Sequence, residues 1–283
     1  MSDAAAASAG SPTVIPSAIP PLVPGSLEGR VILVTGAAGG LGGESALACA
    51  RAGASVVLLG HRQPKLAKVY DAIAKVGPTP AMYPLDLAGA GPGHYEEMCD
   101  RIVAEFGQLD GILHAGASFA GLAPLEVTEP DAFLQQLHAN LAAPWLLTQA
   151  CLPALRARPD AAVVFVLDDP ARSARAYWGA YGIAKAGLRS LLAIAHAETE
   201  RSSVRLAGLE PGPMRTSIRA RAYIEEAATG VTPPAAYAPA CVHLLSAAGA
   251  AQRGTVWAPR PDPSVAIAPP APPPAPAFPR ILT

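Results

Sequence analysis

The stretch "RVILVTGAAGGLGG", Arg30 to Gly43, decides the fold. The run VILVT enters a glycine-rich turn without a break, and a helical pattern starts at Leu41. An unbroken apolar run of this kind suits a strand buried on both faces. Gly36, Gly40 and Gly42 let the backbone turn tightly and approach a bound group. A helix N-terminus just beyond them offers unpaired N–H groups and the positive end of a dipole. A glycine-rich loop alone is a weak signal, but directly after a first strand and before a helix it reads as a pyrophosphate cradle.

The same alternation continues outward. Further β-rich runs are SVVLLG (55–60), AMYPLD (81–86), DGILHAGA (110–117), AAVVFVLDD (161–169), VRLAGLEPGP (204–213) and GTVWAP (254–259). Helical patterns lie between them at 41–52, 64–76, 94–106, 131–155 and 177–200, with another at 239–246 before the last run. Strands alternating with helices make βαβ units, right-handed crossovers and a parallel sheet. The expected fold is α/β: a doubly wound parallel sheet in a three-layer sandwich, one domain over residues 27–259. Ligands of such folds bind beyond the carboxyl ends of the strands.

Both flanks read as tails. Residues 1–26 are rich in Ala, Pro and Ser, and residues 260–283 in Pro and Ala. Such composition favours extended conformations without a core, so both are expected to be disordered. A proline-rich tail can also be a ligand for aromatic-lined grooves. The chain has 283 residues, 51% of them hydrophobic, and a formal net charge of -1. That balance gives no reason to expect nucleic acid or an anionic membrane as a partner. Cys49, Cys99, Cys151 and Cys241 lie far apart, with no zinc-ligand spacing, so buried free thiols and no metal are expected. The N-terminus has no basic start followed by an apolar run, and no later segment is apolar for long enough to span a bilayer. A soluble cytoplasmic protein is the expectation.

The end of the second strand bears on the choice of dinucleotide. An acid there would hold the ribose 2′-hydroxyl of NAD. The sequence instead reads Gly60, His61, Arg62, and an arginine can pair with a 2′-phosphate. NADP(H) is therefore favoured over NAD(H), while simple exposure of His61 and Arg62 at a loop start is the bland alternative. Asp86, before Leu87, ends the third strand, where it can reach an adenine edge or cap a helix.

Together these motifs resemble the short-chain dehydrogenase/reductase family, in its classical single-domain, Rossmann-type form. The resemblance covers about Leu27 to Pro259. "TGAAGGLG", from Thr35 through Leu41 to Gly42, matches the family's glycine loop. His114, Ala115 and Gly116 stand where the family has N-A-G. Asn140 falls at its active-site asparagine, Tyr181 and Lys185 match Y-x-x-x-K, and Pro211, Gly212 and Thr216 match P-G-x-x-x-T. The resemblance implies hydride transfer between NAD(P)H and a small carbonyl or alcohol substrate. Tyr181 would give the proton, Lys185 would favour tyrosinate and hold the ribose, and Asn140 would bend its helix and position a water. It also implies a homodimer or homotetramer paired through the Asn140 and Tyr181 helices, with "WLLTQACLPAL" as a suitable face.

Two positions depart from the family. Its catalytic serine lies thirteen residues before the tyrosine, and here that residue is Asp168; Ser173 lies in the following loop. A serine donates a hydrogen bond to the substrate oxygen, whereas a carboxylate only accepts. A unit charge at 4 Å contributes about 4 kcal/mol at an effective dielectric near 20, in the wrong direction for tyrosinate. Asp168 can be kept neutral, pair with Arg172 or Arg175, bind a substrate amine or hydroxyl, or cap the next turn with Asp169. His114 in place of asparagine reads as tolerated. Two functions follow: an NADP(H)-dependent reductase with altered chemistry, or a catalytically weak NADP(H)-binding protein acting as a sensor or interaction partner. The segment after "EPGPMRT" is expected to cover the substrate, and Arg215, Arg219 and Arg221 hint at an acidic one, against plain solvent exposure.

Overall fold

The computed structural model describes residues 12–227 and 231–261. In chain order it forms β1 (Val14–Ala18), β2 (Val31–Thr35), α1 (Gly40–Arg51), β3 (Ser55–Gly60), α2 (Gln63–Ile73), β4 (Ala81–Pro84) and α3 (Pro92–Phe106). Next come β5 (Gly111–His114), α4 (Pro130–Leu137), α5 (Ala143–Arg156), β6 (Ala161–Val166), α6 (Pro170–Ser173) and α7 (Gly179–Thr199). The chain closes with β7 (Val204–Leu209), α8 (Ser217–Ala222), α9 (Ala238–Leu245) and β8 (Val256–Arg260). The strands form one parallel sheet in the order β1-β8-β7-β6-β5-β2-β3-β4.

Alternate residues of each strand serve opposite faces, and both faces are covered. On β2, Ile32 and Val34 pack with residues of α1, α2 and α9, including Ala46, Leu66 and Leu244. Val31 and Leu33 pack on the other side with Tyr95 and Met98 of α3, Leu147 of α5 and Leu188 of α7. This is why the strands read as continuous apolar runs. The winding direction reverses between β2 and β5, and the crevice at that switch point is where doubly wound sheets take their ligands.

The N-terminal expectation needs correction. Within the presumed tail, Val14–Ala18 form β1, which pairs with β8 from Val14↔Val256 to Ala18↔Arg260. Ile15, Ile19 and Leu22 pack on the core, and the Trp257 indole N–H donates to Ser17 Oγ at 2.6 Å. The strand run also reaches Arg260, one residue beyond the expected domain end. Residues 1–11 and 262–283 of the expected tails lie outside the described residues.

The long helix expected over 131–155 is divided. α4 and α5 are joined by one π turn, His138–Ala142, that contains Asn140. Among the described residues no helix is long and apolar enough to cross a membrane. The four cysteines are free and buried.

Candidate active site

A cleft of about 570 Å³ opens across the carboxyl ends of the strands. Its lining brings together Gly36, Gly40, Leu41, Gly42, His61, Arg62, Asp86, Leu87, Ala115 and Gly116, all expected from the sequence. Asp168, Tyr181, Lys185, Pro211, Gly212 and Thr216 line it as well. Thr35 and Asn140 lie just behind the wall and hold it in shape. Thr35 Oγ1 accepts from the Gly116 amide at 3.0 Å, tying the ends of β2 and β5. Asn140 clasps the Ser118 backbone, accepting from its N–H at 2.8 Å and donating to its C=O at 2.7 Å. The π turn presents Asn140 to that loop, which accounts for the break in the helix.

Backbone shapes the glycine end. Gly36 has φ +65°, and an added Cβ there would lie 2.5 Å from Gly116 Cα. A Cβ on Gly42 would lie 2.3 Å from the Gly36 carbonyl oxygen. No side chain caps the start of α1, and no acid stands in its first turn. Its leading N–H groups therefore face the cleft beside a positive dipole end. At the end of β3, Arg62 Nε donates to His61 Nε2 at 3.1 Å, and Lys65 of α2 joins them on the lining. Asp86 does not cap α3. Its Oδ1 accepts from the Ala88 amide at 3.0 Å and holds a turn six residues ahead of that helix.

Charged side chains shape the other end. The Tyr181 hydroxyl donates to Asp168 Oδ2 at 2.9 Å. Asp168 Oδ1 accepts from the Asp169 amide at 2.8 Å, from Arg172 Nε at 2.9 Å and from Arg172 Nη2. All these partners donate, as a carboxylate requires. Of the two arginines weighed as partners, Arg172 makes the pair, and Asp168 keeps its place beside Tyr181. Asp169 takes the capping role instead, accepting from the Ala171 amide at 2.9 Å at the start of α6. Ser173 is buried and donates to the Asp169 carbonyl at 3.0 Å, so it supplies no hydroxyl to the cleft.

Burial first, and the Asp168 carboxylate second, hold Tyr181 well above the usual tyrosine range, while Arg172 acts in the opposite direction. Lys185 is buried. Its Nζ donates to the Val166 carbonyl at 2.7 Å and lies 5.6 Å from the Tyr181 ring centroid. Burial lowers its pKa to about 8, with Asp168 pulling the other way.

His114 stays out of the cleft. Its ring stacks on Phe165 with centroids 4.9 Å apart, and Nε2 meets Thr148 Oγ1 at 2.9 Å. The Thr148 hydroxyl already donates to the Pro144 carbonyl at 2.7 Å, so Nε2 carries the ring proton. Burial, then Lys185, push His114 down to about 3. It is a neutral tie between β5 and α5.

Sequence reading missed an aromatic wall. Phe119, Trp178 and Tyr181 pack together at centroid distances of 5.2 to 5.6 Å, with Ile218 and Ala222 of α8 laid against them. The chain enters α7 through Tyr177 at φ +76° and Gly179 at φ +45°, an entry that carries Trp178 into the wall. Tyr223 tilts against Trp178 at 6.3 Å. Arg219 is paired with Glu226 and lies over the Tyr223 ring, and Arg221 Nη1 donates to the Phe119 carbonyl at 2.6 Å. Two of the three arginines that hinted at an acidic substrate are thus engaged within the protein. Arg215 is absent from the lining.

A parallel sheet wound both ways, a glycine turn at its switch point and a tyrosine–lysine helix beside it form the ligand crevice of a doubly wound α/β fold. The short chain dehydrogenase sequence profile matches residues 30–227. The chain belongs to that family. It is 32% identical over 220 residues to the uncharacterized oxidoreductase YciK of Escherichia coli (strain K12), covering 77% of this chain and 87% of that protein. A structure described as a short chain dehydrogenase from Pseudomonas syringae superposes with a TM-score of 0.80 at 39% identity, covering 84% of this chain and 97% of the other. Another, from Shigella flexneri 2a str. 301 and complexed with NADP, gives a TM-score of 0.80 at 31% identity, covering 83% and 99%.

Proposed function

We propose that this protein is an NADP(H)-dependent oxidoreductase that interconverts a small carbonyl compound and its alcohol. The observation that carries this reading is the placing of the Tyr181 hydroxyl and the Lys185 ammonium in the same cleft as the glycine turn and Arg62. The glycine end fits a dinucleotide. Its backbone leaves no room for a Cβ at Gly36 or Gly42, and the first turn of α1 is uncapped. Arg62 and Lys65 suit a 2′-phosphate, no acid stands at the end of β3, and a similar structure is complexed with NADP.

When bound, a nicotinamide would supply the hydride for reduction and receive it in oxidation; the chain gives the proton in the first direction and takes it back in the second. Tyr181 turns its hydroxyl from Asp168 to the substrate oxygen and gives up the proton there. Lys185 carries positive charge beneath the ring and favours the tyrosinate left behind. Asn140 fixes the Ser118 loop and so the far wall. Asp168 occupies the position where the family resemblance implies a serine donating to the substrate oxygen. The α8 segment with Ile218 closes the substrate side. Exposed Trp145, Ile183 and Ile194, on α5 and α7, suit pairing of two copies through those helices.

The test is NADPH oxidation by purified protein over a broad panel of carbonyl compounds between pH 5 and pH 9. Turnover is expected, faster with NADPH than with NADH. The direct Tyr181–Asp168 hydrogen bond favours one competing reading, a cofactor-binding protein with little turnover of its own. An inactive wild type beside an active Asp168→Ser variant would establish that reading instead.

A further inference from the structure

We propose that Arg172 is a positioning residue of the proton-transfer site: it pins the Asp168 carboxylate and cancels its charge beside the Tyr181 hydroxyl. This rests on the oxidoreductase reading above. The geometry is that of a three-member chain. One carboxylate carries the tyrosine hydroxyl on Oδ2 and the arginine on Oδ1, through both Nε and Nη2. Both Nε and Nη2 of one guanidinium on one oxygen hold the carboxylate more firmly than a single contact does. Arg172 lies four residues after Asp168, on α6, and Asp169 caps that short helix, so the "DDPAR" segment builds the pair locally.

Among the described residues Arg172 is the cation that hydrogen-bonds the Asp168 carboxylate. Lys185 Nζ is turned to the Val166 carbonyl. Arg189 is paired with Glu210 and reaches only the Asp168 backbone carbonyl, at 3.4 Å. Arg219 is held by Glu226, and Arg221 by the Phe119 carbonyl. Without Arg172, a bare carboxylate would face both the tyrosine that must accept negative charge and the substrate oxygen that develops it. An ion pair presents far less net charge there. The carboxylate at 168 is compatible with proton transfer because the arginine comes with it.

The test is a double-mutant cycle on carbonyl reduction by NADPH, with cofactor binding as the control for folding. Arg172→Met should lower kcat on the order of 100-fold in the wild-type background, the scale of a lost acid–base contribution. It should change kcat less than about 3-fold in an Asp168→Ser background, where there is no carboxylate to cancel. Arg172→Lys keeps the charge and should recover most of the loss. Equal losses in both backgrounds would mean a merely structural role and would overturn the proposal, as would wild-type kcat in Arg172→Met. Those results leave the oxidoreductase reading standing. Absence of turnover in every variant would remove both.

Discussion

At the Gly36 end of the cleft the turn itself is backbone, fixed by contacts that leave no space for a side chain, with Arg62 and Lys65 at its margin. At the Tyr181 end the ligand-facing groups are charged side chains that hold one another. The first end has almost no freedom, because its geometry is set by chain path and by glycine. The second is a balance of opposing charges, in which one residue type can change if a neighbour compensates. Binding and proton transfer are thus built from different materials within one cavity, and they should fail separately.

Tyr181→Phe gives the largest separation. Removing the hydroxyl should lower kcat about 1,000-fold, within the range of acid–base catalysis. NADPH affinity, read by fluorescence titration, should stay within a few-fold. If affinity collapses as well, the two ends are not independent. Arg62→Glu probes the opposite end. Replacing the cation with an acid should lower the ratio of kcat/KM for NADPH over NADH by about 100-fold, the worth of a charge-assisted pair plus a new repulsion. Proton transfer should be untouched, so kcat at saturating NADH should not fall.

The smallest effect concerns His114, which stands between the two ends and belongs to neither. Its ring takes a proton near 6.5 in the unfolded chain and only at about 3 in the fold. The unfolded state therefore binds more protons as pH falls below 6.5, and stability is lost toward pH 3. Urea unfolding at pH 7 and pH 5 should show about 2 kcal/mol lost from this group. His114→Asn, which lacks a titrating ring, should flatten that part of the difference. An unchanged slope would place the acid sensitivity elsewhere.

Much of this was legible in the chain. Seven of the eight strands announce themselves as apolar runs, because burial on both faces leaves few polar positions. The glycine turn falls at a strand end and Tyr181 and Lys185 on the helix that follows β6, where spacing and fold class put them together. β1 was not legible. "VIPSA" has a proline and polar neighbours, and it becomes a strand only against the edge of β8 and the indole of Trp257. Local propensity carries no record of such a distant partner. The aromatic wall was hidden for the same reason: Phe119, Trp178 and Tyr223 come from three separate loops. Lys65 could have been found, since "HRQPK" puts it one helical turn beyond Arg62. The Asp168–Arg172 pair was one of several options open to "DDPARSAR", and only the hydrogen bonds distinguish it from Arg175.

β1 bears on where the domain can safely be cut. Any open sheet margin offers a row of unpaired N–H and C=O groups to foreign strands. In this fold β8 would be such a margin, and residues 14–18 bandage it from within the same chain. Pro16 sits in the new outermost strand and has no amide hydrogen to offer, so the row of donors is interrupted there. Trimming the protein to Leu27 because the preceding residues look like spacer would strip off that bandage and expose a sticky seam.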